Sequence, residues 1–251
     1  MIKLGLFLRT AVPACVLAMG AAVPGLRPIA WVTGLAFGLA LMLLMAWGLR
    51  RTERPALSPA DWVTMSRATL VGVAAELIAD GTRPIAWLVA LVGVALLLDG
   101  VDGQVARRTG TSSEFGARFD MEVDAFLLLL LSVQVSRMLG FWVLGIGLMR
   151  YAFVAATWAF PWLNKPLYPS MARKAVAAVQ GVALVAAVST LLPFFVSRTA
   201  VALALASLIW SFGRDTLWLT AQHRVVRPGT RAVHSGTRAV RPGTPAVQPG
   251  A

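Results

Sequence analysis

Long apolar stretches separated by short polar breaks run the length of the chain, and their lengths predict helices rather than strands. Eight stand out, at residues 4–22, 28–49, 61–80, 84–106, 116–137, 140–160, 172–193 and 198–220. Each approaches the roughly twenty residues a helix needs to cross the hydrocarbon core of a bilayer. The breaks fall at turn formers: Pro24-Gly25, Asp80-Gly81, Gly110, Pro161 and Pro193. The predicted fold is all-α, a polytopic transmembrane helix bundle.

After residue 221 the pattern ends. RPGTRAV, HSGTRAV and RPGTPAV follow one another from 227 to 247, a seven-residue repeat with Pro or Gly in every unit and no paired apolar positions. Such a segment buries too little apolar area to offset its ordering entropy, so residues 222–251 are read as a disordered tail. The two histidines, His223 and His234, lie in it or at its edge, which argues against a metal or catalytic role for either.

The positions of Lys and Arg set an orientation. Arg50, Arg51 and Arg54 share one loop; Arg107, Arg108 and Arg118 flank the next on that side; Lys165, Arg173 and Lys174 mark a third. The alternate loops carry chiefly Arg27, Arg83 and Arg198. Both termini and the acidic segment that carries Asp99, Asp102, Asp120 and Asp124 are therefore expected to face the cytoplasm. Lys3 and Arg9 before a run ending in Gly20, Ala21 and Ala22 also fit a signal peptide. Its removal would not change the orientation of the remaining spans.

Composition agrees with a membrane protein. The chain is 58% hydrophobic and only 14% charged, against roughly 25% for an ordinary soluble domain. The net charge of +12 would suit nucleic-acid binding, but the basic residues cluster at the ends of apolar runs. Membrane lipids, rather than nucleic acid, are the expected partners. Cys15 is the only cysteine, which excludes an internal disulfide and a thiolate metal cluster.

Against this background one segment is anomalous. LLLDGVDGQVARRTGTSSEFGARFDMEVDAFLLLLL, residues 96–131, holds six of the 11 acidic residues between two apolar runs. Asp99 and Asp102 are three apart and Asp120 and Asp124 four apart, so each pair projects from one helical face. The link through Gly110, Thr111, Ser112 and Ser113 allows a hairpin that brings both pairs together at the cytoplasmic end of the bundle. Four converging carboxylates repel one another unless cations sit among them, and an all-oxygen set of this density suits Mg²⁺ or Mn²⁺, with room for two ions. Gly103, Ala106 and Gly116 leave the adjoining surface bare for a phosphate-bearing ligand, and Arg107 is a phosphate partner.

The pattern Asp99-x2-Asp102-Gly103-x2-Ala106-Arg107-x8-Gly116-x3-Asp120-x3-Asp124 resembles the signature of the CDP-alcohol phosphatidyltransferases at every defined position. SPADWVTMSRATL, from residue 58, is similar to that family's opening helix, with Thr64 and Arg67 in the usual places. The resemblance implies a six-helix catalytic core over residues 58–221, preceded by two further helices and a basic loop over residues 1–57. It implies transfer of a phosphatidyl group from a CDP-linked lipid, CDP-diacylglycerol, to an alcohol, with release of CMP, in phospholipid biosynthesis. Asp99, Asp102 and Asp120 would hold two divalent ions, and Asp124 would deprotonate the acceptor and share in coordination. Gly103, Ala106, Arg107 and Gly116 would cradle the CDP moiety, with Thr64 and Arg67 nearby. A multi-pass protein of a bacterial plasma membrane, with its active site facing the cytoplasm and a homodimeric assembly, is the corresponding expectation.

Two other readings compete with this one. A membrane cation transporter also clusters acids, but it predicts them near mid-bilayer with repeated halves, whereas these lie at helix ends. A family member that has lost activity would be expected to lack some of the four aspartates. The acceptor is not specified: glycerol 3-phosphate, inositol phosphate, serine and a second phospholipid remain open. ARKAVAAVQG matches the family's Gly-Lys-x-Lys-Thr-x-x-Gln element at Lys174 and Gln180 but lacks its second Lys and its Thr, which counts against a glycerol-phosphate enzyme. Arg150, Lys165, Arg173 and Lys174 are the candidate acceptor-binding residues and favour a phosphorylated alcohol. A structural alternative for Arg150, a charge inside an apolar run, is an ion pair with Glu76 or Asp215. Glu76 is expected to pair within the bundle, Glu122 to meet solvent or an arginine, and Arg214-Asp215 to satisfy itself or its neighbours.

Overall fold

The computed structural model describes residues 25–52, 59–109, 114–164 and 171–226. The apolar run 4–22, the break at Gly110, Lys165 and the repeat tail lie outside them. The described residues form seven α-helices and no strands, which agrees with the all-α expectation. They are α1 (Pro28–Thr52), α2 (Pro59–Asp80), α3 (Ile85–Thr109), α4 (Glu114–Leu139), α5 (Leu144–Ala159), α6 (Met171–Val188) and α7 (Phe194–Val226). Short 3₁₀ turns, Phe141–Val143 and Pro161–Asn164, lead into α5 and out of it.

The helices stop where the backbone requires it. Gly81 takes φ +66° after α2 and donates its N–H to the carbonyl of Leu77 at 3.0 Å, a left-handed cap that only glycine adopts without strain. Gly140 ends α4 at φ +104° and ψ 164°, an extended positive-φ conformation that also favours glycine, with its N–H donated to the Ser136 carbonyl at 2.9 Å. Helix α6 ends earlier than the apolar run predicts, at Val188, because Thr190 turns to positive φ before Pro193. Helix α7 is longer than predicted at both ends.

Helix α2 lies at the centre, packed on α1, α3 and α4, while α4 also packs on α5 and α6, and α6 on α7. Burial follows: Ala68, Val71, Ala74 and Ala75 of α2 are closed off, and Val92, Phe119, Leu131, Val135, Leu184 and Val201 complete one continuous core. The outer faces are apolar too, with Val32, Leu39, Leu97, Phe195, Leu203 and Trp210 exposed. Two segments, Phe141–Ala159 and Phe194–Gln222, are long and apolar enough to cross a membrane, with mean hydropathy 1.4 and 1.6; Pro28–Leu44, Ile85–Asp99 and Ala175–Val188 are shorter apolar helices.

Two close approaches fix helix spacing. At Gly147 of α5 a Cβ would lie 2.5 Å from the Leu129 Cα of α4, so these helices touch backbone to backbone. At Gly34 of α1 a Cβ would lie 1.9 Å from Glu76 Oε1 of α2. Glu76 is 1% exposed and its Oε2 has no hydrogen-bond partner, which corrects the expectation that it pairs within the bundle. The hollow left by Gly34 accommodates the carboxyl but supplies no donor.

Candidate active site

Three helices meet at one end of the bundle, and each brings the residues its sequence spacing implies. Helix α2 carries Thr64 and Arg67 one turn apart, both buried. Helix α3 carries Asp99 and Asp102, and α4 carries Asp120 and Asp124. A carboxylate oxygen from each of Asp99, Asp120 and Asp124 lies within 4.8 Å of the others, while the link expected to form a hairpin lies outside the described residues. The side chains of Asp102, Ala106 and Arg107 are not among those described, although all three residues, with Gly103, lie in the last turns of α3. Gly116 lies in the first turn of α4, one turn before Asp120.

The centre of the cluster is Arg67. Its Nη1 donates to Asp99 Oδ1 and its Nη2 to Asp120 Oδ1, while Nη1 lies 3.4 Å from Asp124 Oδ1. Nη2 also reaches the Asp120 carbonyl at 3.5 Å. The guanidinium is 1% exposed, whereas the carboxylates are 44%, 35% and 46% exposed. A buried cation thus forms the floor of a carboxylate ring that opens outward. Burying a charge is costly unless it is paired, and three carboxylates on the two helices that flank α2 provide the pairing. Nε of Arg67 is buried with no hydrogen-bond partner. Sequence reasoning placed Arg67 near the nucleotide and missed its contact with the aspartates. The available signal was a lone arginine in an apolar span, which has to find an anion.

The donor set fits a divalent cation. It is all oxygen, from carboxylates, with one oxygen of each within 4.8 Å of the others, the hard donor set that Mg²⁺ or Mn²⁺ takes. Asp99, Asp120 and Asp124 would be the ligands among the described side chains.

Of the candidate acceptor residues, the described side chains of Arg150 and Arg173 pair with different partners. Arg150 of α5 donates through Nη2 to Glu122 of α4, correcting the alternative in which Arg150 pairs with Glu76 or Asp215. Glu122, two residues from both Asp120 and Asp124, projects from the opposite face of α4, so the Arg150 pair lies across that helix from the aspartates. Arg150 Nε is buried without a partner. Arg173 of α6 lies 3.5 Å from Asp215 of α7, which Arg214 also approaches at 3.5 Å while stacking over Trp210. Lys174 belongs to α6, but its side chain is not described. Gln180, buried in α6, donates to the Ala204 carbonyl of α7 at 2.9 Å and so acts as a helix clamp.

Comparison with protein families matches residues 57–210 to the CDP-alcohol phosphatidyltransferase model. The chain belongs to the CDP-alcohol phosphatidyltransferase family. No curated protein and no solved structure matches it. The matched region begins just before α2, ends within α7, and contains the whole carboxylate cluster; α1 lies outside it. The chain is therefore a member of a phosphotransferase family acting in phospholipid biosynthesis, with an aspartate cluster able to hold a divalent metal where that chemistry needs one.

Proposed function

We propose that this CDP-alcohol phosphatidyltransferase moves the phosphatidyl group of CDP-diacylglycerol to an alcohol acceptor and releases CMP. The observation that carries the reading is the convergence of Asp99, Asp120 and Asp124 within 4.8 Å inside the region matched to the family. The acceptor oxygen attacks the lipid-side phosphorus, the bond from that phosphorus to the bridging oxygen breaks, and CMP departs with the bridging oxygen. Asp124, about half exposed at the rim of the cluster, accepts the hydroxyl proton. Bound Mg²⁺ or Mn²⁺, two ions in this reading, would neutralise charge on the pyrophosphate and the leaving group. Asp99, Asp102 and Asp120 would hold the ions, and Asp124 would share in coordination. Gly103, Ala106, Arg107 and Gly116, with Thr64, border the nucleotide.

The acceptor is a phosphorylated alcohol in this reading, of the glycerol 3-phosphate or inositol phosphate kind. Arg150 supports it: a partly buried guanidinium on α5, the helix packed against the aspartate-bearing α4, whose Nε has no acceptor among the described residues. The protein spans the plasma membrane of a bacterium several times, with the cluster at the cytoplasmic end. The exposed apolar faces of α1, α3 and α7 support that setting.

Purified protein supplied with labelled CDP-diacylglycerol and a panel of alcohols tests the proposal. CMP release should require one of the phosphorylated alcohols, vanish with EDTA and return with Mg²⁺ or Mn²⁺. Asp99→Asn should abolish it while the protein remains in the membrane. Undiminished release in metal-free buffer would exclude the metal-assisted mechanism.

A further inference from the structure

Arg67 and a divalent ion draw on the same carboxylates. The guanidinium takes Asp99 Oδ1 through Nη1 and Asp120 Oδ1 through Nη2, and Nη1 stands 3.4 Å from Asp124 Oδ1. These are the three carboxylates whose oxygens lie within 4.8 Å of one another. An ion at about 2.1 Å from those oxygens would sit within a few ångströms of the guanidinium nitrogens, cation against cation. The side chain is 1% exposed, so water does not screen that repulsion, and its Nε has no hydrogen-bond partner to anchor it against movement.

We infer that Arg67 is the exchange partner of the divalent ion. Its fork draws carboxylates from α3 and α4 together over α2, and the ion enters by taking those oxygens from it. The inference rests on the metal-dependent reading above and adds to it a protein group that sets the affinity of the site. Arg67 is thus a positioning residue that acts through the ligating carboxylates.

Arg67→Lys separates exchange from simple charge. Lysine keeps the positive charge but is a compact donor without the planar fork that spans two carboxylates. Mn²⁺ binding, followed by electron paramagnetic resonance on the purified full-length protein, should tighten about tenfold or more in the variant, the size of one charge-assisted contact no longer contested. Unchanged or weaker binding in a folded variant would overturn the inference, while Mn²⁺ binding by the parent protein would leave the metal site itself intact. Absence of Mn²⁺ binding by the parent protein would overturn both readings. A second measurement needs no variant: in protein labelled with ¹⁵N-arginine, saturation with Mg²⁺ should shift an arginine side-chain resonance. If no arginine resonance moves, Arg67 does not exchange with the ion.

Discussion

Gly147 is where a single methyl group has the most predictable effect. A Cβ there meets the Leu129 Cα at 2.5 Å, Leu129 Cδ1 at 2.9 Å and Leu129 Cβ at 3.1 Å. Carbon atoms in favourable contact stand about 3.5–4.0 Å apart, so Gly147→Ala requires α5 to retreat from α4 by roughly 1 Å or more. The main clash is with backbone, which no rotamer change relieves. Overpacking of this kind costs roughly 1–3 kcal/mol, against a gain of about 1 kcal/mol from the better helix propensity of Ala. Net destabilisation of about 1–2 kcal/mol is expected at the upper part of that range. Two controls calibrate it. Gly145→Ala meets only Leu205 Cδ1 at 3.3 Å, a flexible side-chain end, and Gly93→Ala meets nothing within 4 Å. Thermal or denaturant unfolding in one detergent should rank the variants Gly93→Ala most stable, then Gly145→Ala, then Gly147→Ala. Equal stability of Gly147→Ala and Gly93→Ala would refute the backbone contact between α4 and α5. Because α4 carries the aspartates and Arg150 rides on α5, the same variant should also lose turnover, as displacements of about 1 Å at a catalytic group can cost a hundredfold.

Arg150→Ala should raise the apparent KM for a phosphorylated acceptor about ten- to hundredfold and leave that for the CDP-lipid nearly unchanged, one charge-assisted contact being lost. Equal effects on both substrates would reject Arg150 as an acceptor contact. Asp80→Ala should lower the melting temperature, because Asp80 accepts the Arg27 N–H at 2.9 Å and the Thr82 hydroxyl, and so ties the start of α1 to the turn after α2; a melting curve matching the parent's would disprove that tie. In a background lacking Cys15, cysteine at Ser112 should react only with reagents that reach the cytoplasm and cysteine at Thr82 only from outside, and the reverse pattern would overturn the orientation taken from the basic loops.

Much of the site was legible in the sequence because its residues are local. Asp99 and Asp102, or Asp120 and Asp124, share a helix, and helical periodicity alone decides that each pair shares a face. Asp99 meets Asp120 and Asp124 where α3 and α4 both pack on α2. The all-helical architecture was likewise written in the long apolar runs, and the Asp80-Gly81 break stands where the positive φ of Gly81 ends α2.

What the tertiary structure alone decided are the partners of isolated charges. A buried ion needs a counter-charge, but sequence does not say which helix provides it. Arg67 is 32 residues from Asp99 and 53 from Asp120, and it reaches them because α2 packs between α3 and α4. Arg150 finds Glu122 rather than Glu76 or Asp215 because the Gly147 contact brings α5 against α4. Glu76, for which pairing was expected, lies instead against the bare backbone of Gly34 with no donor for its Oε2. Periodicity sets which face a side chain occupies; which opposing face it meets is settled by helix packing, and that depends on close contacts such as Gly147 on Leu129 that no local pattern encodes.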